Sequence, residues 1–170
     1  MRDAFGGSFM LMIFLVFIFI YISFTAVALS YAKAFKTKNA VISYLEESEI
    51  TSLDGMTASQ MNDFENFINQ EIVGNKNYNM SDYNICRGYP ETNDAGRITA
   101  ICADAGIVIS ESKKDDRTEG FYYTVSTYLG WDIGFISKLT ALSGDRSEQE
   151  PGNVTGTWKI SGQTRLMVNK

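Results

Sequence analysis

The side chains that most often carry catalysis or bind metals are scarce in this chain of 170 residues. Histidine is absent, which excludes catalytic triads and metal sites that depend on imidazole. Two cysteines, Cys86 and Cys102, are too few for a zinc site made of thiolates. The sequence has no glycine-rich phosphate loop, no nucleophile elbow and no pair of carboxylates spaced for acid–base work. We therefore expect no enzymatic activity and no cofactor.

The two cysteines are the clearest candidates for covalent chemistry. The segment between Cys86 and Cys102 contains turn signals, and it could bring the two β-carbons to bonding distance across a hairpin. In an oxidising compartment such a pair forms a disulfide, whereas in a reducing one the residues are buried thiols. A bridge over a loop of this length would stabilise the fold by about 3 kcal/mol.

A charged run at 111–119 contains the acidic residues that most resemble a cation site. Asp115, Asp116 and Glu119 carry the oxygen ligands that Ca²⁺ prefers. Their spacing fits no EF-hand loop, and basic residues in the same run oppose a cation. We interpret this run as a solvated hairpin loop and expect no metal.

The element that dominates the sequence is an apolar run from Phe9 to Leu29. No charged residue occurs from Ala4 to Ala32. As a helix, the run is roughly 31 Å long, which matches the hydrocarbon core of a bilayer. We predict an N-terminal transmembrane helix over residues 1–32, with the lipid bilayer as its partner. Its anchor residues include Phe9, Leu15, Phe19 and Leu29.

A cleaved secretory signal is the alternative interpretation of this run. Ala26-Val27-Ala28 has the small-x-small form of a cleavage site. The apolar run is longer than the usual core of a signal, and the stretch without charges continues past this site. The sequence therefore favours a retained anchor, whereas a mature N-terminus near Leu29 would indicate a signal.

Three cations follow the apolar run, namely Lys33, Lys36 and Lys38. The positive-inside rule taken alone would place them in the cytoplasm. The rest of the chain, from residue 39, has 11 Lys and Arg against 19 Asp and Glu, a net of −8. Such an acidic domain argues against nucleic acid as a partner and favours a location outside the cytoplasm. The three lysines would then be membrane-exit cations that contact lipid headgroups or a neighbouring subunit.

The helical pattern continues beyond the lysines as an amphipathic stalk over residues 33–55, with the helix itself ending near residue 50. Phe35, Ile42, Leu45 and Ile50 form its apolar stripe, with Val41 beside it.

A second, shorter helix is predicted from Thr57 to about residue 73. Thr57 and Gln60 have the spacing of a capping box, and Gly74 is a stop signal. The apolar face of this helix consists of Met61, Phe64, Phe67, Ile68 and Ile72.

Residues 78–170 change to the alternating pattern of β-strands, within an extracytoplasmic α+β domain at 56–170. The regular strands are 118–131 and 158–168, and the less regular ones are 83–86, 98–109 (broken at 104–106) and 133–142. The strand at 118–131 has two alternating faces, one with Phe121, Tyr123, Val125, Thr127, Leu129 and Trp131 and the other with Tyr122, Thr124, Ser126 and Tyr128. The fold class is therefore α+β, with a long N-terminal helix, a second short helix and a C-terminal antiparallel sheet that has one face covered.

This order of elements resembles type IV pilin-like proteins, and most closely the minor pilins and pseudopilins of the tight-adherence (Tad) pilus, the TadE/TadG type. Gly6-Gly7 precedes Ser8-Phe9, where such proteins carry the glycine before the cleavage point of prepilin peptidase. The resemblance implies a candidate processing site at Gly7 and Ser8. Met12 stands where those proteins usually carry a glutamate.

Two functions follow as hypotheses. The resemblance implies a membrane-anchored structural subunit, or an assembly component, of a bacterial surface filament or secretion system. Its partners would be copies of itself or other pilin-like subunits, bound through the N-terminal helix. The alternative is a single-pass surface protein whose β domain binds a partner or ligand.

Overall fold

The computed structural model describes residues 2–48, 50, 52–113, 120–132 and 155–165. Contacts divide the chain into two compact units, Met1–Ala32 and Lys33–Lys170. The described residues of the first unit are all helical, and the second unit contains helices and a sheet. The predicted α+β class is confirmed.

Helix α1 runs from Arg2 to Glu47 and contributes to both units. Its first part is the apolar run, which contains none of the residues that usually break a helix in water. The last backbone hydrogen bond near its end joins the Ser48 amide to the Tyr44 carbonyl. The helix therefore ends three residues before the predicted position near residue 50.

The part of α1 in the second unit buries one face. Ala34, Thr37, Lys38, Val41 and Leu45 are buried, at the spacing of one helical stripe. Of the predicted stripe, Leu45 and Ile50 are confirmed as buried, Ile42 is half-buried, and Phe35 is exposed. Val41, predicted beside the stripe, is buried. The buried stripe lies slightly to one side of the predicted one. The difference arises because the stripe includes Thr37 and Lys38, whose polar side chains the apolar pattern did not count.

Helix α2, Ala58–Phe67, begins at the predicted capping box. The Gln60 amide donates to the Thr57 hydroxyl at 3.2 Å, and the Thr57 amide donates to Gln60 Oε1 at 3.0 Å. The helix continues as a π-helix, Ile68–Asn75. Phe64, Ile68 and Ile72 are buried, which confirms the predicted apolar face.

Five antiparallel strands form one sheet in the order β1-β2-β3-β4-β5. Their bounds are β1 Glu91–Thr92, β2 Ile98–Ala103, β3 Ile107–Lys113, β4 Phe121–Asp132 and β5 Thr155–Gln163. The turn at 104–106 separates β2 from β3, as predicted. The strand predicted at 158–168 begins earlier and ends earlier, and the one predicted at 133–142 lies outside the described residues.

The prediction of a strand over Tyr83 to Cys86 is wrong. A short 3₁₀ helix, Ser81–Tyr83, occupies the start of this segment, and turns follow it. Asn84 has φ 52° and Gly88 has φ 99°, conformations that an extended strand does not contain. The local apolar residues suggested a strand, but the left-handed residues fold the chain into turns.

The core lies between one face of the sheet and the helices of the second unit. From the sheet, Ile107, Ile109, Tyr123 and Val125 are buried. They belong to the same cluster as the buried residues of α2 and of the stalk part of α1. The predicted alternation of β4 is confirmed, and the face with Phe121, Tyr123, Val125, Thr127 and Leu129 is the buried one.

Candidate functional site

The candidate anchor is the apolar part of α1 in the first unit. The predicted anchor residues Phe9, Leu15, Phe19 and Leu29 expose 65%, 46%, 55% and 60% of their surface. Large apolar side chains are exposed at nearly every position from Phe9 to Phe24, so the apolar surface surrounds the helix. Within the described residues, this is the one helix long and apolar enough to cross a membrane. The chain therefore has an N-terminal helix with the dimensions of a membrane span.

The two hydroxyl side chains in the run bond within the helix itself. Ser23 donates to the Phe19 carbonyl at 2.8 Å, and Thr25 donates to the Tyr21 carbonyl at 2.9 Å. An unsatisfied hydroxyl is costly in hydrocarbon, where water cannot pair with it. The local bonds make both residues compatible with an apolar surrounding.

The candidate processing site at Gly7 and Ser8 lies inside α1. Gly7 is helical, and an added Cβ would meet no neighbouring atom within 4 Å. Packing in the structure therefore does not require a glycine at position 7, and its role as a processing site stays a prediction.

The three membrane-exit lysines occupy different surroundings in the second unit. Lys36 is exposed and Lys33 is half-buried, whereas Lys38 exposes only 8% of its surface. The Lys38 stem packs against Gly162, where an added Cβ would lie 2.9 Å from Lys38 Cδ. Its ammonium lies 4.2 Å from the centre of the Phe35 ring, a cation–π contact. Lys38 is therefore part of the packing between α1 and β5, and Lys33 and Lys36 remain accessible.

Polar contacts fix the stalk part of α1 and the segment just after it to the sheet. The Thr127 hydroxyl of β4 donates to the Ala34 carbonyl at 3.0 Å. The Tyr123 hydroxyl donates to the Ile50 carbonyl, also at 3.0 Å. Burial raises the pKa of Tyr123, and the nearby Glu111 charge raises it further. These bonds are buried and distant in sequence, so the helix and sheet form one structural unit.

An ion pair joins the end of α1 to the end of β5. Arg165 donates from its backbone amide to Glu46 Oε1 at 2.8 Å and from its guanidinium to Glu46 Oε2 at 2.9 Å. The backbone bond, followed by the side-chain bonds, holds the pKa of Glu46 below its usual range. No sequence signal identified this pair, because its members lie 119 residues apart.

Tyr78 pairs with backbone groups of β4 at Tyr128, beyond the last residue of β4 that pairs with β3. Its hydroxyl accepts from the Tyr128 amide at 2.8 Å and donates to the Tyr128 carbonyl at 2.9 Å. Burial raises the pKa of Tyr78 to about 12. This side chain supplies the two bonds that a neighbouring strand would otherwise supply.

The cysteine pair forms the predicted disulfide. Cys86 and Cys102 are bonded, with their Cα atoms 5.4 Å apart. Cys102 lies in β2, as predicted, but Cys86 lies in the turns before β1 rather than in a strand. The bridge therefore joins a loop to the sheet.

A groove lies beside the disulfide in the second unit. It has a volume of about 520 Å³. Met61, Phe64 and Ile68 line it from the α2 side, and Ile101 and Cys102 line it from β2. Its mixed apolar and polar lining could receive a side chain or a small ligand.

Metal ligands do not converge in the described residues: no group of three or more Asp, Glu, Cys or His side chains could hold an ion there. The acidic residues Asp115, Asp116 and Glu119 lie outside the described residues.

No protein-family model matches the chain, and neither the curated proteins nor the solved structures contain a significant match to it.

Proposed function

We propose that this protein is a membrane-anchored, pilin-like structural subunit, or a minor pilin or assembly component, of a bacterial surface filament or secretion system. The observation that carries the proposal is helix α1. Its apolar part is exposed on all sides, and its second part packs on a sheet domain. An uncovered apolar helix needs lipid or other apolar helices around it.

In this function the protein acts by packing rather than by chemistry. The stretch from Phe9 to Leu29 holds the subunit in the bilayer and then contacts other apolar helices when subunits assemble. The domain at 33–170 is displayed on the surface.

The sheet domain lies outside the cytoplasm in this proposal. The Cys86–Cys102 bond supports this orientation, because disulfides persist in oxidising compartments. A cysteine placed at the exposed residue Asp94 tests it in intact cells with a maleimide that cannot cross membranes. Labelling before lysis supports the orientation, and labelling only after lysis contradicts it.

Cysteine scanning of the anchor tests self-assembly. Single cysteines at Leu15, Val16, Phe17 and Ile18 cover one full turn of the helix. After mild oxidation in membranes, we expect cross-linked oligomers from at least one position and few from the opposite side. A cysteine at the exposed Asn39, outside the apolar run, is the matched control. Monomers at all four positions would contradict packing of the anchor against other copies.

A second candidate function is a single-pass surface protein whose sheet domain binds a ligand or partner. The groove beside Cys102 favours it, because its volume suits a side chain or small ligand. Under this function the cysteine scan yields monomers, and the chain binds its ligand as a single copy. Replacing Met61 by glutamate should then abolish binding, whereas the same change at the exposed Asn62 should not.

A further inference from the structure

Strand β5 runs alongside the stalk part of α1. Gly162 lies against Lys38, as the distance of 2.9 Å from an added Cβ to Lys38 Cδ indicates. Two residues earlier on the strand, Ile160 pairs with Thr127, whose hydroxyl bonds to the Ala34 carbonyl. Two residues advance about 6.6 Å along a strand, and four residues advance about 6 Å along a helix. Every second residue of β5 therefore lies beside every fourth residue of α1.

Trp158 is two residues before Ile160 on β5, toward the end of the second unit that contains Lys33. It has the same strand parity as Ile160 and Gly162, and therefore faces the α1 side. Its pairing partner Leu129 is buried, but Trp158 exposes 55% of its surface. Phe35, on α1, exposes 41%. Two large aromatic side chains thus remain accessible to solvent at one end of the domain.

Cations occur at the same end. On α1, Lys36 is exposed and Lys33 is half-buried. On β5, Lys159 is exposed and lies on the opposite face of the strand from Trp158. From Ala4 to Leu45 the chain contains no acidic residue, and the next one, Glu46, is bound to Arg165. The domain as a whole is strongly acidic, and Asp132, paired with Thr155, also lies at this end of the sheet. The absence of acidic residues is therefore a property of the α1 stretch, which contrasts with the rest of the domain.

We propose that Lys33, Phe35, Lys36, Trp158 and Lys159 form an interfacial collar that docks the domain on an anionic phospholipid bilayer. Tryptophan is enriched at the headgroup level of membranes, and lysines beside it attract anionic lipids. The occupant is the membrane that holds the anchor, because Lys33 follows the apolar run within four residues of Leu29. The inference rests on the membrane anchor of the proposed function but not on filament assembly.

Fluorescence of the full chain in lipid nanodiscs tests the collar. The chain has two tryptophans, so Trp131→Phe leaves Trp158 as the single reporter. The discs contain either phosphatidylcholine alone or an equimolar mixture with phosphatidylglycerol, with bromine placed near the headgroups or near the bilayer centre. We expect stronger quenching by the shallow bromine than by the deep one, and more of it in the anionic discs. The unsubstituted chain should show the same dependence on lipid charge.

Charge variants give the test a matched control. Lys36→Gln should lower the ratio of docked to undocked domain about fivefold in anionic discs, and should have little effect in neutral ones. Arg97→Gln removes a cation beside Asp54 and Glu111, at the opposite end of the stalk contact, and should leave the quenching unchanged.

The outcomes separate the inference from the function on which it rests. A chain that enters the discs but shows no quenching of Trp158 by shallow bromine overturns the collar and leaves the anchor intact. A Trp158 that is protected from aqueous quenchers only when copies associate would assign the surface to a second copy, and also overturns the collar. A chain that does not enter the discs overturns both proposals.

Discussion

Two buried threonines show how much a single hydroxyl depends on its partner. Thr127 donates to the Ala34 carbonyl at 3.0 Å. Thr37 is equally buried, but its hydroxyl has no hydrogen-bond partner among the described residues. A buried hydroxyl without a partner costs free energy, whereas a satisfied one stabilises modestly.

Replacing each threonine by valine should therefore have opposite effects. We expect Thr37→Val to raise the free energy of unfolding by about 1 kcal/mol, because valine has the shape of threonine but lacks the unpaired hydroxyl. Thr127→Val should lower it by about 1 kcal/mol through loss of its bond to Ala34. Denaturant unfolding of the full chain in detergent micelles measures both. Equal destabilisation by the two changes would show that Thr37 has a partner in solution.

Tyr78 provides a second test at the residue scale. Tyr78→Phe leaves the amide and carbonyl of Tyr128 without partners, so we expect a loss of about 1–3 kcal/mol in the free energy of unfolding. Burial raises the pKa of Tyr78 from 10.0 to about 12, so the folded state holds the phenol proton more tightly than the unfolded state. Stability from this group is complete below pH 10.0 and falls between there and about pH 12.

Unfolding measured across that pH range checks the sign. The unsubstituted chain should lose stability as the pH rises above 10.0, and the Tyr78→Phe variant should lose it less steeply. Tyr123, whose pKa burial also raises, keeps part of the slope in the variant. Identical slopes for the two proteins would contradict the buried position of Tyr78.

At the scale of elements, regular patterns were predictable from sequence and irregular ones were not. The alternation in β4 and the capping box of α2 were predicted because each depends on residues close together in sequence. The segment at 83–86 was not, because Asn84 adopts a left-handed conformation that its neighbours do not signal. The burial of Lys38 was missed because lysine usually indicates exposure, whereas here its stem covers a glycine of β5.

Glycines at two elements should differ in their tolerance of a methyl group. Gly106, in the turn between β2 and β3, has φ 79°, and an added Cβ would lie 2.7 Å from Met80 Cβ. At Gly162 the nearest atoms are the side-chain ends of Lys38 and Ile42, which can move. We expect Gly106→Ala to lower the free energy of unfolding by about 2–3 kcal/mol and Gly162→Ala by less than about 1 kcal/mol. The reverse order in thermal unfolding would show that the contact between α1 and β5 is the more rigid one.

The disulfide stabilises the link between the loop before β1 and the sheet. Replacing both Cys86 and Cys102 by serine should lower the free energy of unfolding by about 3 kcal/mol, because the unfolded chain regains the entropy of an open loop. The unsubstituted chain treated with a reductant is the matched comparison, and it should behave like the double variant. Unchanged stability in both would indicate that the loop keeps its position through packing alone.

At the scale of the whole molecule, the division of charge along the chain accounts for its two units. The stretch without charges forms a helix with exposed apolar side chains on every side, and the acidic remainder folds around a core of its own. The sequence predicted both parts, since composition alone separates them. The sequence could not predict which strand residues lie at the end of the second unit that contains Lys33. Their position depends on the register of β5 against β4.

Placing one positive charge in each unit tests whether the apolar part of α1 is a membrane span. Phe19→Arg puts a cation near the middle of the run, where insertion scales assign an unfavourable free energy of about 3 kcal/mol. Asn39→Arg adds the same charge at an exposed polar position of α1 in the second unit. Flotation of the full chain with lipid vesicles should fall markedly for Phe19→Arg and stay unchanged for Asn39→Arg. Circular dichroism should show the same strand content in both variants, because the core of the second unit includes neither residue. If Phe19→Arg floats as well as the unsubstituted chain, this stretch of α1 does not cross the hydrocarbon of the bilayer.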